Sequence, residues 1–144
     1  MKFYIASPFF NEAQVEIVEQ IKALLNETGF EFFSPKDDCL FENGKGMDSS
    51  KVFQTNVEQI DLCDGIIVVT DFRDPGTLWE AGYSYGKDNI IYIWVDFVES
   101  QNFNLMLAHS ATTTVKGFDE LETVLKATKE LGFVPKKEYN GLLE

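Results

Sequence analysis

Histidine is nearly absent from this chain. His109 is the only one in 144 residues, and there are just two cysteines, Cys39 and Cys63. Neither cysteine lies in a CxxC or a Cys/His ligand spacing, so a zinc centre or a redox dithiol has little to be built from, and no metal is expected. The pattern is also unlike a secreted disulfide framework; free buried thiols in a reducing cytoplasm are the expected state. Basic residues are scarce as well, 12 against 24 acidic ones, for a formal net charge of −12. A nucleic-acid polymer calls for the opposite balance, and an anionic membrane surface would repel this one. Small neutral or base-like ligands remain. No run approaches the roughly 18 apolar residues of a membrane helix. The opening Met1 to Ala6 passes straight into an apolar strand and lacks the length and cleavage site of a signal peptide. A cytoplasmic location is expected. The chain also lacks GxGxxG, a Walker pattern and a GxSxG elbow around Ser7. Dinucleotide, P-loop and hydrolase-triad readings lose their main support.

What is present is an apolar fraction of 44% in a length that fits one domain, 1–144. Apolar runs and helical periodicities alternate along it. Residues 2–6 read as a strand. Val15, Val18, Ile21, Leu24 and Leu25 predict a helix over 11–28, stopped by Gly29. Residues 30–33 make a second strand ended by Ser34-Pro35, and 36–48 read as a loop whose length suggests a lid or binding loop. Ser49 or Ser50 is placed to cap a second helix with Val52, Phe53, Val57 and Ile60 on its apolar face. A third strand follows over 66–70, then a helix from Pro75 or Gly76 to near Gly86. A fourth strand spans 90–95, a short helix 103–110, a fifth strand 112–115, and Phe118, Leu121, Val124 and Leu125 mark a last helix. Continuously apolar central strands alternating with helices predict a doubly wound α/β domain of the flavodoxin or Rossmann kind. Its parallel sheet has about five strands, in the order 2-1-3-4-5.

In such a sheet, ligands sit where strands end and the next helices begin. The segment Asp74-Pro75-Gly76-Thr77-Leu78-Trp79-Glu80-Ala81-Gly82-Tyr83 lies at that edge and carries two carboxylates six residues apart. Asp74 also reads as a plain helix N-cap with Pro75 at the first helical position. Glu80 also reads as a solvated acid, yet Leu78, Trp79, Ala81 and Gly82 around it predict a largely buried turn, where a carboxylate needs a partner or a purpose. Gly82 costs about 1 kcal/mol relative to alanine in a helix, and close approach of a backbone or ligand would explain it. Tyr4, Ser7, Asp71, Arg73, Asp96 and Asn104 fall on or after neighbouring strands and are candidates to converge there. Tyr4 also reads as a core aromatic, Asn104 as a cap of the short helix, and His109 as a surface histidine.

These residues resemble a family. Tyr4-Ile5-Ala6-Ser7-Pro8-Phe9-Phe10, Asn56 followed by Cys63-Asp64, Asp74 with Glu80-Ala81-Gly82-Tyr83, and Asn104-Leu105-Met106 are similar, in chain order, to motifs of the nucleoside 2-deoxyribosyltransferases. The resemblance implies an enzyme that moves 2-deoxyribose between nucleobases, acting on 2′-deoxynucleosides and free bases without a cofactor. It implies Glu80 as nucleophile at C1′, Asp74 as the group that binds the base and passes it a proton, and Tyr4 as the residue that holds Glu80. It implies Asn104 as part of a sugar site often supplied by a neighbouring subunit, hence a homo-oligomer with shared sites. Asn56 falls where many members carry an aspartate that contacts the base. An amide donates as well as accepts but cannot relay a proton in the same way. Some members use a C-terminal aromatic of the adjacent subunit; no residue of Tyr139 to Glu144 is assigned that role.

The chemistry suits these residue types. A carboxylate can capture the oxocarbenium-like centre, and a protonated carboxyl can assist the leaving base. Two displacements retain configuration. Ser7, Phe9 and Trp79 are expected at the substrate, the aromatics (with Phe10 and Tyr83) stacking on the base and excluding water, although core packing is their plainer role. Two other readings stand beside this one. A hydrolase of deoxynucleoside 5′-monophosphates would share Glu80 and need a phosphate cradle, for which only Ser7 and Lys51 offer themselves. A non-enzymatic nucleotide-sensing module on the same sheet would use Asp37, Asp38, Asp64 and Asp71 around Mg²⁺.

Overall fold

A computed structural model of the chain describes residues 1–39 and 48–144. Five strands, β1 (Lys2–Ala6), β2 (Glu31–Phe33), β3 (Gly65–Val69), β4 (Ile90–Trp94) and β5 (Thr113–Lys116), form one sheet in the order β2-β1-β3-β4-β5. Every pairing is parallel. The helices are α1 (Glu12–Thr28), α2 (Pro35–Asp38), α3 (Ser49–Leu62), α4 (Pro75–Tyr83), α5 (Leu105–Ser110) and α6 (Gly117–Leu131). This is the doubly wound α/β architecture that the alternation of runs predicts.

Strand parity distributes the core. Phe3 and Ile5 of β1, Ile67 and Val69 of β3, and Ile91 and Ile93 of β4 pack under α1 and α6. The alternate residues Tyr4, Ala6, Ile66, Val68, Tyr92 and Trp94 face the opposite layer, with Ile60 of α3, Ala81 of α4 and Ala108 of α5. Because side chains alternate at each step of a strand, Tyr4 is committed to the layer that holds α4. The chain runs outward from β1 to β2 and then returns to β3 on the other side of β1. The crevice between these strand ends is the switch point of the sheet.

Local chemistry fixes the boundaries. Asn11 caps α1 by accepting from the Gln14 N–H at 2.9 Å, and Gly29 ends it in the left-handed region at φ 79°. Gly65 is required by space: a Cβ there would meet the Asn89 carbonyl oxygen and the Phe3 ring at 2.7 Å. Three expectations need correction. Residues 36–48 are not all loop, because Pro35–Asp38 forms a helical turn whose Asp38 carboxylate accepts from the Ser34 N–H at 2.9 Å. The remainder of that expected lid, 40–47, lies outside the described residues. Ser49 and Ser50 do not cap α3; both lie inside its first turn and Asp48 holds the cap position, without a side-chain cap bond. Gly82 has no close neighbour: a Cβ there would meet nothing within 4 Å among the described residues.

Candidate active site

A cavity of about 400 Å³ opens at the switch point, walled by residues that follow β1, β2 and β3 and by α3. Its lining is mostly apolar, including Pro8, Phe9, Phe10, Pro35 and Val52, with Asn56, Asp74 and Glu80 as polar groups turned toward it.

Asp74 sits at the N-cap of α4, and Pro75 at the first helical position supplies a preset φ and no wasted donor. Its Oδ2 accepts from the Thr77 N–H at 2.8 Å and from Thr77 Oγ1 at 2.9 Å. The two donors saturate one oxygen and leave Oδ1 as the atom available to a ligand. The cap and the functional group are therefore the same side chain in two halves.

Glu80 stands nearly two turns further along α4. The buried positions Thr77, Ala81 and Ser84 define the inner face of this segment, and Glu80 lies on its border. The turn is not buried all round as the apolar neighbours suggest: Trp79 is 48% exposed and Tyr83 43%. Tyr4, fully buried on β1, donates its hydroxyl to Glu80 Oε1 at 3.1 Å. Burial pushes the Glu80 carboxyl from 4.5 up to about 7; the Tyr4 hydrogen bond pulls it back, and the charge of Asp74 adds to the rise. Burial, then the charge of Glu80, drives the Tyr4 phenol far above its ordinary value, so it stays a donor.

The structure thus brings Tyr4, Ser7, Phe9, Asn56, Asp74 and Glu80 to one place. Ser7 gives its hydroxyl proton to the Pro8 carbonyl oxygen at 3.0 Å. Phe9 packs on Phe10 with ring centres 5.2 Å apart. Trp79 lies on the other side of Glu80, in a shallower cavity of about 260 Å³ shared with Phe53, Asn56 and Ile60. There it stacks on Tyr83 at 5.3 Å. Asn104 is not brought to the Glu80 cavity. It caps α5, accepting from the Met106 and Leu107 N–H groups at 3.0 and 3.2 Å, and it lines a different cavity of about 440 Å³ with Thr70, Asp71, Arg73 and Glu144. Asp71 does not join the first site either; its carboxylate accepts from the Val95 and Asp96 N–H groups at 2.8 and 2.7 Å.

Thr77 and Cys39 belong to the site although the sequence does not single them out for it. Thr77 has the third-residue spacing of a cap partner, which could have found it. Cys39 donates its thiol to Asn56 Oδ1 at 3.3 Å across 17 residues, a tertiary contact that no local pattern foretells. The carboxylates suggested for Mg²⁺ do not converge. Asp37 pairs with Lys22 at 2.6 Å, Asp38 caps α2 and Asp64 accepts from the Lys2 N–H. Among the described residues there is no group of three His, Cys, Asp or Glu side chains arranged to hold a metal ion.

A family model described as nucleoside 2-deoxyribosyltransferase matches residues 3–119. Among solved structures, a 2-deoxyribosyltransferase of Bacillus psychrosaccharolyticus is 31% identical over 97% of this chain and 100% of its own, with a TM-score of 0.78. A 2-desoxiribosyltransferase of Leishmania mexicana is 23% identical over 90% and 97%, with a TM-score of 0.62. The CMP N-glycosidase BcmB of Clostridium botulinum is 18% identical over 90% and 99%, with a TM-score of 0.60. The last two share the fold. No curated protein sequence matches the chain.

Proposed function

The chain belongs to the nucleoside 2-deoxyribosyltransferase family, and from that premise we propose that it transfers 2-deoxyribose between nucleobases through a covalent intermediate on Glu80. The observation that carries this reading is the Glu80 carboxylate, desolvated at the cavity wall, held by Tyr4 and sharing that cavity with Asp74.

In the first step a Glu80 oxygen forms a bond to C1′ as the C1′–N bond breaks, and Asp74 delivers a proton to the departing ring nitrogen. In the second, the ring nitrogen of an incoming base attacks C1′ from the side the first base left. The Glu80 ester bond breaks and Asp74 takes up the proton the new nucleoside releases. Each displacement inverts the centre, so the product keeps the starting configuration. Desolvation makes the ionised Glu80 a stronger nucleophile than a hydrated carboxylate, at the cost of a smaller ionised fraction below pH 7. The Tyr4 hydroxyl restores part of that fraction and fixes which oxygen is free. The apolar walls keep water from the intermediate, which it would otherwise hydrolyse. A monophosphate is a poorer fit: Lys36, the one lysine of the cavity among the described residues, is already engaged by Glu19 and Asp37 at 3.1 Å each.

Asn104 enters this scheme from a second copy of the chain, since its own cavity is separate from Glu80. On this reading the working enzyme is a homo-oligomer in which each site takes groups from two chains. The experiment that tests the central claim is intact-mass spectrometry after incubation with a deoxynucleoside alone. One deoxyribose added on Glu80 is expected, and its disappearance on adding a second base should coincide with a new nucleoside. Release of only free sugar and base would replace the transferase with an N-glycosidase.

A further inference from the structure

Asn56 lies on α3 between the two cavities that reach Glu80, and it lines both. Among the described residues its side chain makes one hydrogen bond, the one received by Oδ1 from the Cys39 thiol at 3.3 Å. A thiol donates and accepts weakly, and here its single proton goes to Oδ1. Turning the amide over would set its NH2 against sulfur and leave the thiol proton without a carbonyl, so the contact selects one orientation. Burial, with the nearby charges of Asp38 and Glu80, keeps Cys39 protonated and therefore donating. Oδ1 already takes the thiol proton, and Nδ2, which can only donate, has no partner among the described residues.

We infer that Cys39 is a positioning residue that locks Asn56 as a donor to the base, so that this site favours nucleobases carrying an exocyclic oxo group over their amino counterparts. The inference rests on the transferase reading for its substrate and goes beyond it in naming the class of base. A base seated against α3 turns an edge toward Asn56. An oxo oxygen accepts from Nδ2. An amino group there sets donor against donor and leaves a desolvated N–H unpaired, which is the strong form of discrimination. An unlocked amide could turn and serve either kind of base, so the preference resides in the Cys39–Asn56 pair and not in Asn56 alone.

Hypoxanthine and adenine make a test matched in size and reversed along one edge, an oxo group beside N1–H in the first and an amino group beside a bare N1 in the second. With deoxyuridine as common donor, kcat/KM for hypoxanthine is expected to exceed that for adenine by about tenfold, the worth of one hydrogen bond. Cys39→Ala should bring the two within about twofold. The ratio within each variant is the readout, because a poorly folded variant lowers both rates together. A wild-type preference for adenine would overturn the inference. So would an unchanged ratio in Cys39→Ala. If the wild type exchanges no base from either deoxyuridine or deoxyguanosine, the transferase reading fails; cleavage of deoxyinosine against deoxyadenosine in water then gives the same ratio and judges the lock separately.

Discussion

The two cavities at the carboxyl edge of the sheet are nearly equal in volume, about 400 and about 440 Å³, and they differ in almost everything else. The first is mostly apolar and holds Glu80, whose carboxyl is pushed up to about 7 by burial. The second has more polar groups, among them Asp71, Gln101, Asn102 and Asn104, and the chain's own C-terminal segment lies across it. That segment is tied down by backbone bonds: Phe103 N–H to Leu142, Leu105 N–H to Glu144, and Glu144 N–H to Phe103. Its ion pair, Arg73 with Glu144 at 3.9 Å, joins side chains that are 81% and 52% exposed. The proposed chemistry follows desolvation, not the number of polar groups. A charge is worth most where water has been removed and little where water competes.

The sharpest way to break this comparison is to remove the desolvated acid. Glu80→Ala is expected to lower base exchange by about three orders of magnitude or more and to leave the cooperative unfolding transition in place. Near-wild-type turnover in that variant would move the nucleophile elsewhere, with the second cavity the next place to look.

A change in Tyr4 should be smaller and dependent on pH. The Tyr4 hydrogen bond favours ionised Glu80, so Tyr4→Phe should move the acid limb of kcat/KM, expected near pH 7, to higher pH. The loss should be about tenfold on the acid side and shrink once Glu80 is fully ionised. Stability gives an independent check. The folded carboxyl at about 7 binds its proton more tightly than the unfolded one at 4.5. The folded state then holds more protons between those values, and stability falls as pH rises across that window. Glu80→Gln should flatten the fall by on the order of 2–3 kcal/mol. Identical pH–stability curves for the two proteins would mean that Glu80 is not desolvated.

Next in size is the link between the cavities. Asn104→Ala is expected to cost about 1 kcal/mol through loss of the α5 cap and to abolish most exchange. If sites take Glu80 from one chain and Asn104 from another, mixing unfolded Glu80→Ala and Asn104→Ala chains and refolding them together should recover part of the activity neither has alone. No recovery, with mixed oligomers verified by mass, would confine each site to a single chain.

Sequence order carried the fold because the central strands are apolar on both faces, which only a covered parallel sheet accommodates. That Tyr4 and Glu80 could share one edge was legible in outline, since neighbouring strands and helix starts meet there, but their pairing was implied only by the family resemblance. The rest depended on helix phase and tertiary contact. Thr77 and Ala81 of α4, with Ser84 just beyond it, set the inner face of this segment and turn Trp79 outward, a phase that an apolar stretch of Leu78, Trp79, Ala81 and Gly82 conceals. The α2 turn is four residues long, too short for any periodicity, and its stabilising bond from Asp38 is local but unpatterned. Cys39 reaches Asn56 only because α2 and α3 are folded against the same crevice.

The smallest expected effect lies at Arg73, and it separates charge from backbone geometry. Arg73 has φ 49°, in the left-handed region that disfavours every side chain with a Cβ. Its ion pair with Glu144 is exposed and long, so Arg73→Ala should change stability by less than about 0.5 kcal/mol: alanine suffers the same backbone strain, and little charge energy is lost. Arg73→Gly removes the strain and loosens the unfolded chain. The first effect is about 1 kcal/mol or more and the second somewhat less, so Arg73→Gly should be at least as stable as Arg73→Ala in urea. A loss of about 2 kcal/mol in both variants would instead make the pair a true clamp on the C-terminal segment. The second cavity would then hold a charge as strongly coupled as the first, and the contrast between them would fail.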